Sequence, residues 1–534
     1  MKNKIYIKQW LEFKPYNNQT DTDAYYLNLS NTIKKSLSSQ YFFVLLMYLN
    51  EQEIDALSCF LASYFEDIIS ETDIWKTFSE IYFEHYKKRL PFYDTKEYFE
   101  GEINEQDIAF LIWYFLNTVQ KEKVISPAND FITEIAAKVM ILLEDEYEYA
   151  LENNHLKQFY TLDENETDFY TVRNLIDTIL FKTYLFYPDT ALKLAEQELE
   201  LIEENDDENL NHYLQETRDS LLHKSHTSLM SLKGKEWAAR ILGDKHPVSS
   251  HLLQMSPRIR GFFLYKGQDD LNIFIEHIAS GKKFKLTQKS FDHSHLLNSM
   301  DTIMYIGIVK WQKEWWFSGV YFQNDFNADL VLNEKNSLES RMVVNFLDHN
   351  TQETNQTLKI HIDAFLDFNN GSQIAFMHVD KINEFIKNYM EYLNATLNLS
   401  DKEIEEAKER ARADGYFRDM NDPQIDFPKE AETGLVFFNS GSGTEIAINL
   451  NSAFPLSNNP YFNVEESEKD VMDLFISEEI STELSKYCIK HCKSKLPFLK
   501  RGIGKMYLKD IDFLLRFWKR ENYFAKPSIT YTGQ

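Results

Sequence analysis

Apolar residues in the first 225 positions recur every three to four residues, the period of a helix with one buried face. Ile54, Leu57, Leu61, Tyr64, Phe65 and Ile68 predict one such helix. Asn104 is a good N-cap for a second, with Asp107 near the positive end of its dipole. Ile108, Leu111, Ile112, Phe115 and Leu116 would form its apolar face, with Trp113 on or near it. The same pattern runs from Phe131 to Ala150. No repeat of fixed period is present, so the pattern does not support a solenoid of the tetratricopeptide kind.

Between 256 and 325 the period shortens. Residues 261–265, 271–275, 284–287, 304–311 and 315–322 read as strands separated by short turns, the last two joined by Gln312, Lys313 and Glu314. Five short strands in succession predict a small antiparallel β-barrel of SH3-like or OB-like size. Farther on, Ser400 and Glu403 form a capping box, Glu406 and Arg410 an i,i+4 pair, and Gly415 a helix stop. Residues 435–438 and 445–450 read as a strand pair, and 477–493 as a helix. The expected fold class is multidomain α+β: an acidic all-helical domain at 1–225, a barrel domain at 226–345, and a mixed α+β domain with basic C-terminal helices at 346–534.

Composition adds material for large cores, with 40 Phe, 30 Tyr and 8 Trp among 534 residues. Charge is uneven. The net value is −27, but residues 486–526 carry 12 Lys/Arg against 3 Asp/Glu. An acidic body speaks against a general nucleic-acid binder. The basic tail keeps that class open, because its cations alternate with Phe498, Tyr507, Phe513, Phe517, Trp518, Tyr523 and Phe524, as in single-strand binding sites. In the other reading the rings are core and the cations face water, since Phe513, Phe517 and Phe524 have helical spacing. Three cysteines cannot form a disulfide framework, and the N-terminus lacks the apolar stretch of a secretory signal. The apolar run Tyr41–Leu49 is too short to span a bilayer. These features predict a cytoplasmic protein with no membrane partner.

Motifs that carry chemistry are sparse. Asn439–Thr444 and Gly502–Lys505 are glycine-rich, but neither continues as a phosphate-binding P-loop, so both read as turns. Cys488, His491 and Cys492 could supply part of a zinc site, yet Ile480, Leu484, Cys488 and Cys492 form one apolar helical stripe that explains the thiols without metal. Asp292, His293, Ser294 and His295 have no nucleophile elbow to serve. Glu152 and His155 match one half of a di-iron pattern that needs two. The acidic run Glu203–Glu208 lacks calcium-loop spacing and reads as a helix end or solvated loop. No cofactor, metal or catalytic residue is expected.

The phrases NEQDIAFLIWYFLNT, EWWFSGVYF, LNLSDKEIEEAKERA, SAFPLSNNPYF and KDIDFLLRFWKRENY resemble a family of bacterial proteins of unknown function, over most of the chain. The barrel is also similar to small β-barrels in other uncharacterised bacterial proteins, some of which carry a SEC-C zinc motif. This chain lacks the closely spaced Cys and His of that motif, which removes the metal inference. The resemblance implies a bacterial cytoplasmic setting and no known activity.

The functional expectation is a non-enzymatic interaction protein that docks a protein or peptide on the barrel through Trp311, Trp315 and Trp316. Alternation would place Trp315 and Trp316 on opposite faces. The plain alternative for these rings is burial under neighbouring helices. A second reading is nucleic-acid binding by Lys500, Arg501, Lys505, Arg516, Lys519 and Arg520. A third is an enzyme with an unrecognised site between domains. Oligomeric state is not legible.

Overall fold

A computed structural model gives the architecture. It describes residues 4–524 apart from 121–122, 205–208, 292–296, 298, 348–350, 398–401 and 403–424. The Asp292–His295 group, most of the helix expected after Ser400 and the second half of the acidic run lie outside the described residues. The chain parts into two compact units: 1–258 with 289–291 and 307–320, and 259–288 with 292–306 and 321–534.

The first unit is built on helices. Its principal ones are α1 (Asp23–Gln40), α2 (Glu51–Ser70), α3 (Ile74–Tyr86), α4 (Glu105–Val119), α5 (Asp130–Glu146), α6 (Phe169–Lys182), α7 (Leu192–Glu204), α8 (Leu210–Lys224), α9 (Gly234–Leu242) and α10 (Pro247–Gln254). α2 buries Ile54, Leu57, Leu61, Tyr64 and Phe65 of the stripe read from the sequence, with Ile68 half-buried. α4 goes further: every residue from Asp107 to Leu116 is buried, as a helix with apolar residues all round requires. Its first turn departs from expectation. The Asn104 side chain bonds the backbone of Phe99 instead of capping its own helix. Asp107 is a buried acceptor for the Tyr64 and Tyr98 hydroxyls at 2.7 and 3.3 Å, and burial pushes its carboxyl up to about 7.

Strands β1 (Ile259–Gln268), β2 (Asn272–His277), β3 (Lys283–Thr287), β4 (Ile303–Trp311) and β5 (Glu314–Asn324) form a closed barrel in the order β1-β2-β3-β5-β4. The alternation expected for a half-buried sheet is present, with Ile273, Ile275, Phe284 and Leu286 turned inward. The second unit adds α11 (Ala328–Asn336), α12 (Thr351–Phe368) and α13 (Ile382–Thr396), and a three-stranded sheet of β6 (Ile374–His378), β7 (Thr433–Asn439) and β8 (Gly443–Ile448). α14 (Ser467–Ile476), α15 (Thr482–Cys492), α16 (Pro497–Lys500), α17 (Gly502–Tyr507) and α18 (Ile511–Trp518) complete it. Ile382, Ile386, Tyr389 and Leu393 of α13 pack with Phe365, Val436 and Phe438 in its core.

Within the first unit the tip of the β4–β5 hairpin is tied to the helices by a buried carboxylate. Asp219 is fully buried and lies 2.7–2.8 Å from the guanidinium groups of Arg173 and Arg258. Ser318 of β5 donates to the same carboxylate at 2.9 Å, and the His223 ring lies 3.2 Å from that hydroxyl. Glu216 takes the other arm of Arg258 at 2.8 Å. Two glycines make room: a Cβ on Gly307 would lie 2.5 Å from Arg258, and one on Gly319, at φ +86°, would collide with the same side chain. Asp, His and Ser meet here, but the carboxylate holds the serine instead of the imidazole, and all three are buried. The cluster is a clamp, not a nucleophilic triad.

Burial pushes His223 down to about 4, so it folds neutral. Burial would raise Asp219, but His223, protonated only below about pH 4, and the guanidinium groups of Arg258 and Arg173 outweigh it and hold the carboxyl below its ordinary value. The unfolded chain therefore takes up a proton at His223 below about pH 6.5 that the folded chain refuses. Stability should fall by up to about 1.4 kcal/mol per pH unit from pH 6.5 toward pH 4. Urea unfolding across that range should show a shallower fall in His223→Gln, and Gly319→Ala should cost about 1–3 kcal/mol at every pH.

Candidate functional site

The expected aromatic anchors sit mainly inside the first unit. Trp311 is buried and its indole donates to the Thr167 carbonyl at 2.9 Å. Trp316 is buried between Phe169 and Tyr170, with ring centroids 6.0 Å away in each case. Trp315 is half-buried on the opposite face, as the alternation requires.

The expected cations divide sharply. Lys500, Arg501 and Lys505 are exposed, and Arg520 is half-buried. Arg516 is buried, bonded to Asp512 at 3.1 Å and stacked on Tyr523 and Phe524. Lys519 is fully buried and donates to the carbonyls of Ser477 and Ile480. Neither buried cation is presented to a phosphate, because α18 faces the core.

The remaining motifs resolve as packing, turn or helix: Gly502–Lys505, expected as a turn, is the start of α17. Cys488 and Cys492 are buried on the α15 stripe, with the Cys488 thiol 3.3 Å from the Ala453 carbonyl, while His491 is exposed. Among the described residues no group of three His, Cys, Asp or Glu is placed to hold a metal ion. Asn439–Thr444 is the β7–β8 turn, with Asn439 accepting from the Gly441 N–H at 2.8 Å.

A cleft lies in the second unit, in a stretch without any sequence motif. β7 is the central strand, so β6 is an edge. The Gln373 carbonyl accepts from Phe438, and the Val379 N–H donates to Glu432. By the two-residue period of an antiparallel ladder, odd-numbered positions face β7, and Phe376 and His378 turn their N–H and C=O groups to the open edge. Along it runs a cleft of about 490 Å³. Ala375, Met377 and Phe385 form its apolar part, and Asn369, Asn370, Asn388 and Asn458 its amide part. Asn370 and Gly371, both at positive φ, make the tight turn from α12 into β6 that brings these amides to the rim. Ser372 and Asn458 satisfy the outward groups of Ile374. Lys381 and Glu384, 3.3 Å apart, add a balanced charge pair.

Residues 4–259 match the model of a family described as "Protein of unknown function (DUF3843)". The resemblance to a domain of unknown function holds over that span, which contains NEQDIAFLIWYFLNT but not the other four phrases. No curated protein and no solved structure matches the chain. Neither the β6 cleft nor the basic helices fall within the family match.

Burial lowers Lys519 to about 7 in the folded state, against the pull of Glu445 and Glu478. Between about pH 7 and 10.5 the unfolded chain binds the extra proton, so stability should rise with pH. Lys519→Met should abolish that rise and cost about 1–3 kcal/mol from the two carbonyls left unpaired, as read by denaturant unfolding.

Proposed function

We propose that this protein is a non-enzymatic binding protein whose β6 cleft takes an extended peptide as an added strand. The observation that carries the reading is the open edge itself: outward main-chain groups at Phe376 and His378 beside a cleft with an apolar floor and an amide rim. Strand addition draws affinity from the main chain and specificity from pockets for alternate side chains. Met377 and Phe385 would receive an apolar residue, and the asparagines would bond uncharged polar ones. All three cysteines are free and buried, which suits a reducing, cytoplasmic setting. Among the described residues no helix is long and apolar enough to cross a membrane.

His378 has φ −72°, the angle proline adopts, and its N–H faces away from β7. His378→Pro should therefore remove one edge donor with little loss of stability. Peptides selected from a random library on the intact protein should bind His378→Pro about fivefold or more weakly by calorimetry. They should fail to bind Asn388→Trp, which fills the cleft. Selected peptides that bind both variants as well as the parent would sink the reading.

A further inference from the structure

Residues 484–509 contain eight Lys/Arg and no Asp/Glu, in a chain whose net charge is −27. All eight cations, from Lys486 to Lys509, are exposed. Lys486 lies 3.8 Å from Asp512, and Lys495 donates to the Pro455 carbonyl. Lys490, Lys493, Lys500, Arg501, Lys505 and Lys509 make no ion pair among the described residues. Arg516 and Lys519, on the next helix, are answered from within the fold. A concentration of uncompensated like charge raises the energy of the free protein and is relieved by an anion.

The arrangement on α15 indicates which anion. Lys486, Lys490 and Lys493 recur at i, i+4 and i+7 and share one stripe of the helix. Tyr487 and His491 form the adjoining stripe, their ring centroids 4.3 Å apart and their planes tilted by 35°. Tyr487 is steadied from behind by Phe437, at 5.3 Å, and His491 is exposed. Burial and the neighbouring Lys490 hold the His491 imidazole below its ordinary value, so the ring is neutral at neutral pH. Cations beside an exposed, supported π-face suit a phosphate backbone with unpaired bases. An acidic peptide would use the charges and leave the ring idle, and a duplex would not offer a base face.

We propose that the basic face formed by α15, α16 and α17 binds single-stranded nucleic acid, with Lys490, Lys493, Lys500, Arg501 and Lys505 on phosphates and His491 stacking a base. The lysines act as point charges on phosphates, which carry no sequence information, so binding is tolerant of sequence.

The test is fluorescence anisotropy of a labelled oligothymidylate and of a duplex, titrated with the full chain at about 50 mM and about 200 mM salt. The single strand should bind more tightly than the duplex. The triple variant Lys490→Gln/Lys500→Gln/Lys505→Gln should lower the log–log salt slope by about 2. His491→Ala should weaken single-strand binding about fivefold or more with an unchanged slope, and His491→Phe should restore it. Flat curves at the lower salt, equal affinity for the duplex, or displacement of the strand by polyglutamate at equal charge concentration would each overturn the proposal.

Discussion

The carboxylate of Asp219 is fully buried, and everything near it is arranged around that fact. A buried charge is tolerable only when paired and hydrogen-bonded. Here two guanidinium groups and a serine hydroxyl do both, drawn from α6, from the segment between α10 and β1, and from β5. The hairpin strands must be glycine where Arg258 crosses them. His223 must stay neutral against the same group. One buried charge thus constrains residues spread over about 150 positions of the chain and fixes how the hairpin tip meets the helices.

Aromatic residues that could have served as anchors are used in the same way. Trp311 and Trp316 fill space beside Thr167, Phe169 and Tyr170. What the second unit leaves open is of a different kind. One feature is a strand edge that turns the main-chain groups of Phe376 and His378 outward, and the other is a run of cations most of which make no ion pair among the described residues. Strand edges invite pairing and cationic faces invite anions, for reasons independent of each other. The peptide cleft and the nucleic-acid face can therefore be tested separately.

Much of the architecture was legible because period reports burial. The five barrel strands and the β7–β8 pair fall within a few residues of the alternating segments, and Cys488 and Cys492 lie on the stripe that their spacing marked. The cleft was not legible. It depends on β6 being the outer strand, and β6 pairs with β7 across more than fifty residues. The basic tail was half legible: its net charge was plain, but Arg516 and Lys519 looked no different from Lys500 and Lys505.

The sequence by itself determined the helical first half, the barrel, the acidic body and the basic segment, because these follow from local period and from summed charge. Tertiary structure decided which groups are available. Asp107 and Asn104 read as ordinary helix-start residues until Tyr64, Tyr98 and Phe99 were brought beside them. Lys519, just past α18, became a buried donor to the Ser477 and Ile480 carbonyls, while Lys505 of α17 stayed a surface charge. Availability depends on neighbours distant in the chain, and local pattern carries no information about them.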